Sequence, residues 1–145
     1  MLSAARRLRR TLACERGLAA LEFALLAPAL LMLAFAIVIY SLYFTTQFGV
    51  RQAASEGARA ALQALSAPER ETLAKARAQE VAASYGALLS SGTSPTVTFG
   101  ANTSDVFTIT VSYNISNSPI MRYAGFVPLP SSTISATVKV TNGSY

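Results

Sequence analysis

The sequence predicts an α+β protein in which a long N-terminal transmembrane helix extends into a stalk, followed by a second helix and a small antiparallel β-sheet. Three observations predict this order. A run of 28 uncharged, mostly apolar residues extends from Phe23 to Val50. An alanine-rich pattern with helical spacing continues from there to about Leu65. From Val106 onward, apolar and polar residues alternate as they do in half-buried strands.

The composition excludes several kinds of site. The 145 residues include no histidine and one cysteine, Cys14. A disulfide within one chain and a Cys/His metal site are therefore excluded, and we expect no metal or other cofactor. The net charge of +5 is concentrated in residues 1–17, which carry +4, whereas residues 18–145 carry +1. We therefore expect no nucleic-acid partner, and no pattern indicates a small-molecule substrate.

Residues 1–17 form a basic leader. Positive residues beside the first apolar segment favour the cytoplasmic side of a membrane. We therefore predict a cytoplasmic N-terminus and a C-terminal domain on the other side. The residues on which this topology depends are Arg6, Arg7, Arg9, Arg10 and Arg16.

Residues 18–48 are the predicted transmembrane helix. A helix needs about 20 residues to cross a hydrocarbon core of about 30 Å, and this run is longer than that. Pro28 is compatible with it, because membrane helices tolerate proline. Tyr40, Tyr43 and Phe44 lie near its outer end, where aromatic residues typically mark the membrane interface. We therefore expect the helix to bind membrane lipid.

Glu22 is the one acidic residue in this apolar segment. An ionised carboxylate within a bilayer costs about 3 kcal/mol, so such a residue is a candidate functional site whose partner has to be found. Two interpretations stay open at this point. Glu22 either lies at the headgroup level and remains solvated, or it pairs with a positive charge inside the membrane.

Residues 49–65 form the predicted stalk, and residues 66–145 a small outer domain. Small residues recur every fourth position at Ala53, Gly57 and Ala61, a spacing that permits close helix packing. The wider apolar stripe of this helix comprises Ala54, Ala58, Ala61, Leu62 and Leu65. A second helix follows, in which Ser66 and Glu69 form a capping box, and it extends to about Leu89.

Three strands are predicted in the outer domain, at 96–99, 106–115 and 133–141. The segment between the last two strands contains three prolines and several large apolar side chains. We expect these side chains to cover the core of the small sheet, with contact to a partner as the alternative. They are Met121, Tyr123, Phe126, Val127 and Leu129.

The segment Gly17-Leu18-Ala19-Ala20-Leu21-Glu22-Phe23 resembles the cleavage motif of type IV pilin-like proteins. That resemblance implies that a prepilin peptidase cuts between Gly17 and Leu18 on the cytoplasmic side. Glu22 would then be the fifth residue of the mature chain, and it would pair with the N-terminal amine of a neighbouring subunit during assembly. The aromatic residue of the motif is Phe23.

More narrowly, RGLAALEFALLAPALLMLAF followed by RQAASEGARAAL resembles the TadE-like family of minor pilins and pseudopilins. The C-terminal segments TVSY, FVPLP and SATVKV are similar to that family more loosely. The resemblance implies a role in a Tad (Flp) type IV pilus used for adhesion and biofilm formation. It also implies partners: a prepilin peptidase, other pilins, a secretion ATPase and platform proteins of a bacterial inner membrane. Incorporation into an extracellular pilus is left open.

Other interpretations of the N-terminus fit less well. Ala34-Phe35-Ala36 is similar to a signal peptidase site, but the apolar run before it is too long and contains Glu22. A second hypothesis for function is an unprocessed, signal-anchored surface protein whose outer domain binds an envelope partner. We do not expect an enzyme, because no nucleophile and base can be paired in this sequence.

Overall fold

The computed structural model describes residues 15–86, 93–103 and 106–141. In chain order, the elements are helix α1 (Glu15–Ala61), helix α2 (Ala67–Gly86), strand β1 (Thr96–Asn102), strand β2 (Val106–Asn114), a short 3-10 helix (Pro119–Tyr123) and strand β3 (Thr133–Thr141). The α+β order predicted from the sequence is confirmed. The C-terminal end predicted for α2, near Leu89, lies outside the described residues.

The chain divides into two compact units, Met1–Val38 and Ile39–Tyr145. The described part of the first unit consists of the N-terminal residues of α1, whose large apolar side chains are exposed. The second unit contains the remaining residues of α1, together with α2 and the sheet.

Within the second unit, α1 buries one stripe of side chains. Ile39, Tyr43, Thr46 and Val50 are each no more than 5% exposed, and they are spaced three or four residues apart as on one helix face. The hydroxyl of Thr46 donates to the carbonyl of Leu42 at 3.0 Å, so its burial leaves no polar atom unpaired. The interpretation of Tyr43 as part of an interface belt is wrong, because this stripe turns Tyr43 into the core.

Small residues bring α1 close to α2. Gly57 lies against α2: a Cβ built on Gly57 would be 2.9 Å from the carbonyl oxygen of Ala74 and 3.0 Å from Cβ of Ala78. Ala53 and Ala61, four residues to either side of Gly57, are also buried. The predicted role of this spacing in close packing is therefore confirmed.

The predicted stripe on the stalk is correct only up to Ala61. Helix α1 ends there, so Leu62 and Leu65 lie in the turn before α2 and are 53% and 97% exposed. The predicted capping box is also altered. The carboxylate of Glu69 accepts a hydrogen bond from the backbone N–H of Leu65 at 3.0 Å, one residue earlier than the pattern predicts.

The sheet has the order β1-β2-β3, and both pairs are antiparallel. Its central strand shows the strict alternation that the sequence predicted. Phe107, Ile109, Val111 and Tyr113 are at most 3% exposed, while the intervening residues are half-buried on the other face. The buried face packs on the helices, because Cδ1 of Ile109 lies 2.8 Å from the position that a Cβ on Gly57 would occupy.

Only some of the apolar side chains between β2 and β3 pack against the core. Ile120 and Val127 are buried, and Met121 and Leu129 pack against the core while partly exposed. The prediction of core cover is wrong for two of its five residues, because Tyr123 is 43% exposed and Phe126 is 75% exposed.

Asn102 joins β1 to the start of α2. Its side-chain N–H₂ donates to the carboxylate of Glu71 at 2.9 Å and to the carbonyl of Ala67 at 3.2 Å. Its side-chain oxygen accepts from the guanidinium of Arg70 at 3.3 Å. The Asn102 side chain therefore forms hydrogen bonds to α2 through both its N–H₂ group and its oxygen.

Replacing Asn102 with alanine should destabilise the outer domain by about 2 kcal/mol, because a net hydrogen bond contributes about 1 kcal/mol and charged partners raise that value. The measurement is thermal unfolding of the full chain in detergent micelles, followed by circular dichroism. Asn117→Ala is the matched control, since Asn117 is exposed in the turn after β2. Equal melting temperatures for the two variants would show that the amide contributes nothing.

Candidate processing and assembly site

The motif at residues 17–23 lies in the first turns of α1, which begins at Glu15. The Leu18 and Phe23 side chains are 59% and 70% exposed, and Glu22 is also exposed. The bond between Gly17 and Leu18 therefore lies in the first described turn of α1.

The arginines of the leader are only partly placed. Arg16 is in the first turn of α1, next to Gly17. The remaining four, at positions 6, 7, 9 and 10, fall outside the described residues. Their proposed effect on topology depends on the sequence alone.

Glu22 has apolar neighbours along its own helix. The positions three and four residues away on either side are Leu18, Ala19, Leu25 and Leu26, so no cation lies at the spacing that pairs charges within a helix. Among the side chains that the structure describes, ion pairs join Glu56 to Arg59 and Arg77, and Arg77 to Glu80. None of these described ion pairs includes Glu22.

Large apolar side chains cover the helix beyond Glu22. Only 6% of the most apolar window of 18 residues within Gly17–Ala61 is buried, so this window does not lie in the core of a folded domain. By length and composition the helix can cross a membrane. The large apolar residues in this part of the helix that are at least 40% exposed include Leu25, Leu26, Leu30, Leu31, Met32, Leu33, Phe35, Ile37 and Val38.

The motif and this exposed helix lie within a segment that is similar to a known protein family. Residues 17–59 match the family model described as TadE-like protein. The resemblance to the TadE-like family is confirmed over this segment. No curated protein and no solved structure matches the chain. The matched segment begins at Gly17, the residue that opens the motif, and ends two residues before α1 does.

The TadE-like match indicates a protein associated with a Tad pilus system in a membrane. The single N-terminal apolar helix is compatible with a single-pass anchor. In the described ranges, no group of three or more His, Cys, Asp or Glu side chains is placed to hold a metal ion. The match lies within α1, so the exposed surface of α1 is the candidate functional surface of this site.

One feature near the helix was not foreseen from the sequence. The hydroxyl of Tyr40 donates to the carbonyl oxygen of Pro128 at 2.6 Å, which holds the loop before β3 against α1. The two residues are 88 positions apart. No local pattern indicates such a contact; only the aromatic character of Tyr40 and the prolines of the loop were visible.

Proposed function

We propose that this protein is a minor pilin or pseudopilin, a structural or assembly component of a Tad (Flp) type IV pilus that serves adhesion and biofilm formation. The observation that carries the proposal is the Gly17–Phe23 motif at the start of an exposed apolar helix, inside the TadE-like match. The role is structural and not enzymatic. The protein crosses the bacterial inner membrane once, with its N-terminus in the cytoplasm and its C-terminal domain in the periplasm.

In this proposal the prepilin peptidase cuts between Gly17 and Leu18, and Leu18 becomes the N-terminus of the mature chain. Gly17 suits the position, because it has no side chain to obstruct the bond. The cut removes the arginines of the leader. It also creates a positively charged amine at the membrane-embedded end of the helix.

That amine supplies a cation for the Glu22 carboxylate, which has none three or four residues away along its own helix. A charge in a bilayer is costly when unpaired and tolerable when paired, so pairing between neighbouring subunits fixes how one helix lies along the next. Phe23 and the leucines around it supply apolar contact between the same helices. Other pilins and the Tad assembly machinery are the partners that this surface serves.

The test is intact mass and N-terminal sequencing of the membrane-extracted protein from cells with and without prepilin peptidase. We expect a mature chain that begins at Leu18 only when the peptidase is present. Gly17→Val should block the cut, whereas Ala24→Val, a similar change at an exposed position of the same helix, should leave it intact.

A chain that retains residues 1–17 in both strains would contradict the proposal. It would instead support the second hypothesis, an unprocessed signal-anchored protein whose outer domain binds an envelope partner. A cut elsewhere, after Ala36 for example, would contradict both hypotheses, because the released domain would then have no membrane helix.

A further inference from the structure

An exposed phenylalanine lies in the ordered loop between β2 and β3. Phe126 is 75% exposed, although its neighbour Val127 is only 6% exposed and part of the second unit's interior. Tyr123, three residues earlier, is 43% exposed. A large apolar side chain held in the open beside a buried one indicates a surface that something else covers.

This exposure is not a result of a loosely held backbone. The N–H groups of Phe126 and Val127 both donate to the carbonyl of Tyr123 at 2.9 Å. Two residues after Phe126, the carbonyl of Pro128 accepts the hydrogen bond from Tyr40. The backbone on both sides of Phe126 is therefore fixed, and Val127 anchors the loop in the core.

The contact with Tyr40 places the loop beside the first residues of α1 that belong to the second unit. A hydrocarbon core of about 30 Å needs about 20 helical residues, and Leu18 to Val38 supply 21. In the proposed span, Tyr40 therefore follows the last residue of the hydrocarbon core, and tyrosine is enriched at that interface. Phe126 is two residues from Pro128, a separation of at most about 7 Å, and Pro128 accepts the hydrogen bond of Tyr40.

The charges around Phe126 suit a lipid surface. Arg122 is exposed in the same loop, and Arg122 and Lys139 are the only charged side chains from Val106 to the C-terminus. The loop therefore brings a cation and two exposed aromatic rings to the interface, with no carboxylate that would repel anionic headgroups. Aromatic and basic side chains in combination are typical of segments that lie in the headgroup region.

We propose that the loop Pro119–Pro130 is a second membrane contact. In this contact, Phe126 inserts into the bilayer leaflet on the side of the C-terminal domain. Tyr123 and Arg122 lie at the headgroups. The inference rests on the proposed function only in that α1 must span the membrane. The loop and the helix would then hold the domain against the bilayer at two points.

The protein contains no tryptophan, so a single introduced tryptophan reports only its own surroundings. The experiment uses the full chain with Phe126→Trp, reconstituted into vesicles of zwitterionic and anionic phospholipid brominated in the upper part of the acyl chains. We expect the emission to shift to shorter wavelength and most of it to be quenched by the brominated lipid.

Two further variants make the result decisive. Leu65→Trp places the probe at a side chain that is 97% exposed, in the turn at the opposite end of the helix from the span, and its emission should be unchanged by bromine. Leu30→Trp places it within the span, and its emission should be quenched, which tests the spanning helix separately.

Quenching at position 30 together with water-like, unquenched emission at position 126 would overturn the loop insertion while leaving the membrane span intact. A blue shift at position 126 that rises with protein density and is insensitive to bromine would also overturn it, because a second copy of the chain would then be the cover. Absence of quenching at position 30 would overturn both the span and the insertion that depends on it.

Discussion

Replacing Glu22 with alanine is expected to abolish assembly into a pilus while membrane insertion stays intact or improves. The two effects have opposite signs for one reason. Removing a carboxylate from an apolar segment lowers the cost of insertion by about 3 kcal/mol. Removing it from an assembly leaves the N-terminal amine of a neighbour buried and unpaired, which costs about 3 kcal/mol or more at each contact and weakens that contact about 100-fold.

The measurement compares the membrane-inserted fraction with the fraction recovered in sheared surface filaments or in cross-linked assemblies. Glu22→Gln keeps the shape of the side chain and one acceptor oxygen but removes its charge, and it should fail as the alanine variant does. Glu22→Asp keeps the charge and should restore assembly in part.

Leu25→Ala is the matched control on the same helix face, three residues further on, since the Leu25 side chain is 71% exposed. It shortens an apolar side chain without touching a charge, so its effect on assembly should be much smaller. Normal assembly of the glutamine variant would rule out the pairing of charges and leave Glu22 as a solvated residue at the headgroups.

The two longer strands were predictable because alternation with period two is a direct consequence of strand geometry. The first strand was predicted only to Phe99 and extends to Asn102, because its pairing with β2 continues past a shift in register that no alternation marks. Val106–Asn114 and Thr133–Thr141 differ from the predicted ranges by at most one residue. The motif at Gly17–Phe23 was equally visible, since its spacing is local. Both depend on neighbours in sequence, and distant contacts do not alter them.

The predictions from sequence were wrong where apolar residues occur both at a lipid-facing surface and in a protein core. Nothing in the uncharged run from Phe23 to Val50 separates side chains that face lipid from those that face the domain core. Tyr43 was therefore assigned to the interface, although it is buried, while Phe44 beside it is 59% exposed. The position of the core relative to the helix decides this, and that position is set by packing against distant elements.

The loop before β3 shows the same limit. Phe126 and Val127 are adjacent apolar residues in a segment with no regular period, so no pattern could indicate which one turns inward. The hydrogen bond from Tyr40 to Pro128 and the burial of Val127 decide it. The smaller error at Leu62 and Leu65 has a different cause, because α1 ends at Ala61 with no proline or glycine to mark the end.

Gly57→Leu is expected to destabilise the second unit by at least about 3 kcal/mol, which is a fall in melting temperature of about 15 °C for a unit of this size. A single Cβ at Gly57 would already lie 2.8 Å from Cδ1 of Ile109 and 2.9 Å from the carbonyl oxygen of Ala74. The backbone of α2 cannot move aside without opening the helix pair, and Ile109 is fully buried in the central strand. Helix propensity acts in the other direction, since leucine is favoured over glycine in a helix by nearly 1 kcal/mol.

Gly125→Leu is the matched control, because a Cβ at that position meets no atom within 4 Å. Its melting temperature should stay close to that of the parent protein, measured by circular dichroism of the full chain in the same detergent. Gly57→Ala should also lower the melting temperature, but by less than Gly57→Leu, because its one methyl group still meets the carbonyl oxygen of Ala74 at 2.9 Å while it adds less volume and gains in helix propensity. A Gly57→Leu variant as stable as the Gly125→Leu variant would show that α1 and α2 can separate at no cost. The small residues at this crossing would then have to be explained by contacts between subunits and not by the fold of one subunit.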